Sequence, residues 1–252
     1  MKMLSLLTKV EIGISIIPFL IIVLFTGYYK LFFTYFIITL IHELGHIVVA
    51  AIFKVETQQI KLNIFGFSAT LEDYKYLKLY KQILILLAGP ITYFISKFLI
   101  DKFYAYEIIS LMTYYKAILT NKYILIFNLL PIFPLDGGRI FKVILDRLFT
   151  FKISKYISLF VSFIFIILFV IYTSEHKQYL MYMFLTLNLF LNLLFIEKEW
   201  KIFLASRYYF DNKYVKKLHK RKDIYVYKNN YIIENKCIYD EKKIIKKMLK
   251  EG

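Results

Sequence analysis

Three ionisable side chains, His42, Glu43 and His46, interrupt the otherwise apolar run TYFIITLIHELGHIVVAAIFK from Thr34 to Lys54. On a helix His42 and His46 project from nearly the same face, one turn apart, so two imidazole nitrogens can meet one zinc ion. Glu43, next to the first of them, is placed to take a proton from a water activated by that ion, the arrangement of zinc hydrolases with this motif. The competing reading is a polar pair hydrogen-bonded between helices. Ionisable groups in a spanning helix cost about 2.5 to 3.5 kcal/mol each on the insertion scale for Asp, Lys and Arg, which makes function their default explanation.

A catalytic zinc site has three protein ligands and an open position. His176 and His219 fall in a short loop and in the C-terminal tail, on opposite sides of the membrane by the topology below. The best third candidate is Asp136, in NLLPIFPLDGGRIF from Asn128 to Phe141, where Pro131, Pro134, Gly137 and Gly138 interrupt an apolar segment. Broken helix at membrane depth is tolerated only where protein or a water-filled cavity covers the freed backbone. Taken alone, the stretch would read as an interfacial turn with a solvated Asp136; together with HELGH it reads as the other half of a site. His46 precedes Lys54 by eight residues, which puts a metal roughly 12 Å inside the cytoplasmic end of its helix, and Asp136 falls on the cytoplasmic side of its own span.

The elements that must position these groups are apolar spans. The chain has 252 residues, 59% hydrophobic and 19% aromatic, with 8 glycines and 4 prolines, a composition that excludes an ordinary soluble domain. We expect an all-α polytopic membrane protein of about six spans: Ile12 to Tyr28, Leu31 to Phe53, Gln82 to Ile100, Lys116 to Leu130 (broken at its end), Tyr156 to Tyr172 and Tyr179 to Ile196. Net charge is +16. Basic residues concentrate before the first span, between the second and third, between the fourth and fifth, and after the sixth, so the positive-inside rule puts both termini in the cytoplasm. The first apolar run has no small-residue cleavage site and reads as a retained helix.

Between the second and third spans, QQIKLNIFGFSATL alternates around Gly66 and predicts a small hairpin that lies against the membrane. Two domains are expected, a six-span body over 1–200 and a short basic α/β tail over 201–252. In that tail DIYVYKNNYIIENKCIY predicts two short strands around Asn229 and Asn230, and DEKKIIKKMLKEG a basic amphipathic helix. The basic tail fits a solvated face beside anionic lipid; no stacking motif points to nucleic acid. Cys237, the single cysteine, sits in the tail and fits a reducing compartment.

HELGH and NLLPIFPLDGGR, on the second and fourth of six predicted spans, resemble the site-2 protease family of intramembrane zinc metalloproteases, peptidase family M50, and within it the stage IV sporulation branch. The resemblance implies one zinc per chain held by His42, His46 and Asp136, with Glu43 as general base. It implies that Asn128 contacts the substrate backbone near the metal and that the hairpin with Gly66 and Phe67 meets the substrate. The implied substrate is a membrane-tethered regulatory protein, a sigma-factor precursor during sporulation, and the implied partners are inhibitory membrane proteins in the cell or forespore membrane. AGP, Ala88 to Pro90, matches a third-span motif of the family, and Gly89 and Pro90 are expected to open that helix locally. Two departures stand out. Tyr93 occupies a position where the family often has asparagine, and the tail is too short for the nucleotide-sensing domain common in the sporulation branch.

Three rivals compete with the protease reading. A protease with a glutamate third ligand needs a Glu in a later span, and the fifth and sixth have none before Glu197. A metal or proton transporter with the histidines lining its path would show a second, related half, and HELGH has no counterpart there. An inactive protease-like scaffold should have lost one of His42, Glu43, His46 and Asp136, and all four are present.

Overall fold

The computed structural model describes residues 10–12, 25, 27, 29–55, 57–63, 66–71, 77–173, 179–208, 215–217, 223–227, 229–234 and 237–251. It divides into two compact units, Met1–Leu129 and Leu130–Gly252.

In the first unit three helices, α1 (Tyr29–Ile52), α2 (Leu79–Ala105) and α3 (Leu111–Leu129), pack on one another. Ile38, His42, His46 and Ala50 recur every fourth residue and form a buried stripe on α1, as 3.6 residues per turn requires. Phe33, Ile37, Leu44, Val48 and Ile52 are exposed on the same helix, as are Ile91, Phe94, Ile95 and Phe98 on α2. Apolar surface on this scale, on helices long enough to cross a bilayer, suits lipid. Gly45 explains how closely α1 and α2 approach: a Cβ there would lie 2.5 Å from Thr92 Cγ2 and 2.7 Å from the Ala88 carbonyl oxygen. Small residues at such crossings let membrane helices gain dispersion contacts. The helix α2 runs through Gly89 and Pro90 without interruption, contrary to the expected opening. Proline removes one backbone donor, which a helix packed against its neighbours tolerates; in the following turn Thr92 Oγ1 donates to the Gly89 carbonyl at 2.6 Å.

Three strands complete this unit, β1 (Val10–Ile12), β2 (Thr57–Asn63) and β3 (Gly66–Leu71), in the order β1-β2-β3. β2 and β3 pair antiparallel, with Ile60 opposite Ala69 and Asn63 opposite Gly66. β1 pairs parallel to β2, Val10 opposite Ile60, which leaves β3 at the edge, lying along α1. The first predicted span, Ile12 to Tyr28, lies outside the described residues apart from Ile12, Phe25 and Gly27.

The second unit opens with the loop 130–135, in which the Phe133–Pro134 peptide is cis. It continues through α4 (Asp136–Leu148), α5 (Phe151–Thr173), α6 (Tyr179–Leu194) and α7 (Ile196–Tyr208). Among the described residues three helices are long and apolar enough to cross a membrane: Phe32–Ile52 within α1, then α2 and α5. The α3 helix carries Lys116 and Lys122, and α6 has 16 residues, short of a full span.

The C-terminal segment supplies β4 (Val215–Lys217), β5 (Asn229–Glu234), β6 (Cys237–Tyr239) and α8 (Glu241–Glu251). β5 pairs parallel with β4 and antiparallel with β6. The expected turn at Asn229 and Asn230 is instead the start of β5, and the β5–β6 connection falls at residues 235–236. Asn230 cannot be a turn tip because its buried amide works as a strand partner, accepting from the Tyr225 N–H at 2.9 Å and donating to the Tyr225 carbonyl at 3.2 Å.

This segment has a core. Phe151 from α5, Trp200, Phe203 and Leu204 from α7, Ile224 and Val226, and Ile244 and Ile245 from α8 form one buried cluster, with the Phe151 and Phe203 rings stacked at 4.5 Å. The Phe151 N–H donates to the Ile224 carbonyl at 2.9 Å. Asp223 caps α5 from 70 residues away. Its carboxylate accepts from the Thr150 hydroxyl and from the backbone N–H groups of Lys152 at 2.9 Å and Ile153 at 3.3 Å, donors that a helix N-terminus leaves unpaired.

Burial pushes the Asp223 carboxyl above its usual range of 3.8, and the hydrogen bonds it accepts pull it part of the way back. An acid whose folded pKa is raised opposes folding while ionised, and that opposition is relieved as pH falls through the raised value towards 3.8. Amide exchange at Lys152 and Ile153, corrected for intrinsic rates, should therefore slow as pH falls from neutral through that window. Asp223→Asn should flatten the dependence.

Candidate metal centre

The helix α1 brings His42 and His46 together because they occupy consecutive turns of its buried stripe. Their Nε2 atoms are 3.2 Å apart. Two imidazole nitrogens bound to one tetrahedral zinc at about 2.0–2.1 Å each lie about 3.3 Å from one another, so this pair fits the ion. The tautomer is set from α2: His46 Nδ1 lies 2.7 Å from the Ile85 carbonyl oxygen, which can only accept. Nδ1 therefore carries the proton, and Nε2 presents its lone pair towards His42.

Room for the rings comes from Gly89. A Cβ at that position would sit 2.2 Å from His46 Nε2 and 2.6 Å from His42 Nε2, so only glycine lets α2 pass the two donor atoms. The sequence marks this position through AGP, but as a helix-opening signal rather than as space for imidazoles. Gly45 and the Ile85 carbonyl are further contributors that no residue type advertises. Asn121 on α3 is another, buried and donating to the Tyr93 carbonyl at 3.0 Å. With His42, Thr92 and Tyr93 it lines a small cavity.

The remaining candidates are placed as follows. Glu43 follows His42 on α1 and is half-buried. Asn128, in the last turn of α3, is half-buried and spends one amide hydrogen on the Ile124 carbonyl of its own helix at 3.0 Å. Gly66 and Phe67 begin β3, paired with Asn63 and Leu62. Asp136 belongs to the second unit, where it is the first residue of α4 and is buried; a carboxylate there is stabilised by the helix dipole.

A pair of orientated imidazoles on an apolar, membrane-length helix is a donor set that fits a metal ion within a membrane protein. The peptidase family M50 model matches residues 98–171. Stage IV sporulation protein FB of Bacillus subtilis (strain 168) is 29% identical over 227 residues, covering 86% of this chain and 77% of that protein. Zinc metalloprotease MJ0392 of Methanocaldococcus jannaschii is 31% identical over 150 residues, 55% of this chain and 43% of that one. The solved site-2 protease from Methanocaldococcus jannaschii shares the fold, with a TM-score of 0.54 and 23% identity over 73% of this chain and 89% of that structure. The chain is thus similar to peptidase family M50 over residues 98–171 and to two curated relatives, one of them named a zinc metalloprotease, and it shares its fold with a site-2 protease.

Gly89→Ala should force the imidazoles apart and abolish metal binding. The check is a zinc count on purified protein, with a thermal melt to establish that the variant is folded.

Proposed function

We propose that this chain hydrolyses a peptide bond in or beside the membrane segment of a regulatory protein, with one zinc held by His42, His46 and Asp136. The observation that carries the reading is the Nε2 pair 3.2 Å apart, orientated by the Ile85 carbonyl. Asp136 is the proposed third ligand because it is a buried carboxylate that follows a proline-broken apolar segment, in the order the family resemblance implies. Zinc, when bound, polarises a carbonyl and lowers the pKa of water to roughly 7.

This chain's own residues do the rest. Glu43 takes the proton of the attacking water and delivers it to the departing amine, two transfers that one half-buried carboxylate can make in turn. Asn128 has a second amide hydrogen and a carbonyl with which to hold the substrate backbone or a developing oxyanion. A helical substrate hides its scissile carbonyl in an intrahelical bond and must unwind. The strand β3, beginning at Gly66 and Phe67 and at the edge of its sheet among the described residues, would offer its outer backbone edge to the extended form.

The proposed topology has six spans, a broken fourth, a hairpin lying against the membrane and both termini in the cytoplasm. By similarity to stage IV sporulation protein FB, the proposed substrate is a membrane-tethered sigma-factor precursor, and the proposed partners are inhibitory membrane proteins.

Co-expression with such a tethered precursor tests the reading. Glu43→Gln should keep its zinc and lose cleavage by about 10²- to 10⁴-fold, the usual worth of a general acid–base. Asp136→Asn should lose the zinc as well. Wild-type cleavage by Glu43→Gln would end the protease assignment, and a full zinc complement in Asp136→Asn would end that of the third ligand.

A further inference from the structure

We propose that Lys155 is a positioning residue for Asp136, acting through Phe133 together with Ser162; the inference rests on the reading of Asp136 as a metal ligand. Lys155, near the start of α5, is fully buried. Its ammonium lies 2.8 Å from Glu199 Oε2 on α7, donates to Asn192 Oδ1 on α6 at 3.1 Å, and sits 4.3 Å from the centroid of the Phe133 ring. The same α5 face holds the backbone of Phe133: its N–H donates to Ser162 Oγ at 2.8 Å, and Ser162 donates in turn to the Ser158 carbonyl at 2.8 Å. Phe133 is thus held at ring and backbone by two side chains of one membrane-length helix.

Asp136 stands three residues beyond Phe133 in the chain. The first turn of α4 is seated on the held peptide, because a Cβ at Gly138 would come within 2.4 Å of both the Ile132 carbonyl and the Phe133 nitrogen. Leu135, the residue before the aspartate, donates its N–H to the Ile132 carbonyl at 2.8 Å. With no slack between loop and helix, a shift of Phe133 moves Asp136 with it. Pure stability is a poor explanation for the lysine. A buried ammonium in a spanning helix is costly, and apolar residues of similar volume commonly hold such a position as well or better. An ammonium supplies a direction that a methyl group lacks: it is drawn to a carboxylate, an amide oxygen and a ring face at once.

The purified full chain provides the test, with zinc retention read against a graded chelator, melting of the metal-free protein, and kcat and KM on a tethered substrate. In Lys155→Met the partner Glu199, whose side chain is 39% exposed, can return to water, so metal-free melting should hold. Lys155→Met and Ser162→Ala should each release zinc at roughly tenfold lower chelator, the usual worth of a group that orients a ligand, and lower kcat more than they raise KM. Lys152→Met, which removes a surface pair with Glu197, should behave as wild type. Asp136→Asn separates the two ideas. If it loses zinc while Lys155→Met and Ser162→Ala keep it, positioning is overturned and the ligand assignment stands; if it keeps zinc, both fall. Reduced retention accompanied by collapse of metal-free melting would assign Lys155 to the fold alone and overturn the proposal.

Discussion

The constraint on which the first unit depends is the close passage of α1 and α2. Gly45 lets α1 meet the Ala88 carbonyl and the Thr92 methyl of α2, and Gly89, next to Ala88, lets the α2 backbone pass the imidazoles. Contact at this range takes the histidines out of lipid and water and brings the Ile85 carbonyl within reach of His46. A larger residue at Gly45 would press on the Ala88 carbonyl and separate the helices, and one at Gly89 would displace the imidazoles themselves. Tight packing and donor geometry are therefore one requirement here, because the same neighbours desolvate the imidazoles and orientate them.

The second unit solves a different problem, holding an irregular segment still. A proline-broken stretch has backbone groups that its own helix cannot satisfy. Here α5 satisfies one of them, through Ser162, while Lys155 faces the Phe133 ring. The N-terminus of α5 is in turn capped by Asp223 and packed through Phe151 into a cluster with α7 and α8. The C-terminal segment thus shares a core with a spanning helix instead of trailing from it.

Much of the chemistry was legible in the sequence because charged and polar types are conspicuous against lipid. His42, Glu43 and His46 stand out in an apolar run, and Asp136 among prolines and glycines. The antiparallel pairing around Gly66 and the helix at 241–251 followed from period and composition. The misreadings share one cause. AGP reads as a helix break because proline and glycine have poor intrinsic helix propensity, and Asn229 and Asn230 read as a turn from asparagine's local preference; packing against α1 overrides the first tendency and strand pairing the second.

The sequence by itself determined which groups can bind a metal or move a proton and which segments prefer lipid, because these are properties of residue types and their spacing. Tertiary structure alone decided that Gly89 leaves room for two imidazoles, that a carbonyl on α2 orients His46, and that Lys155 reaches a loop 22 residues before it. Each of these depends on an approach of a few ångströms between segments far apart in the chain, and no local pattern of residues encodes such an approach.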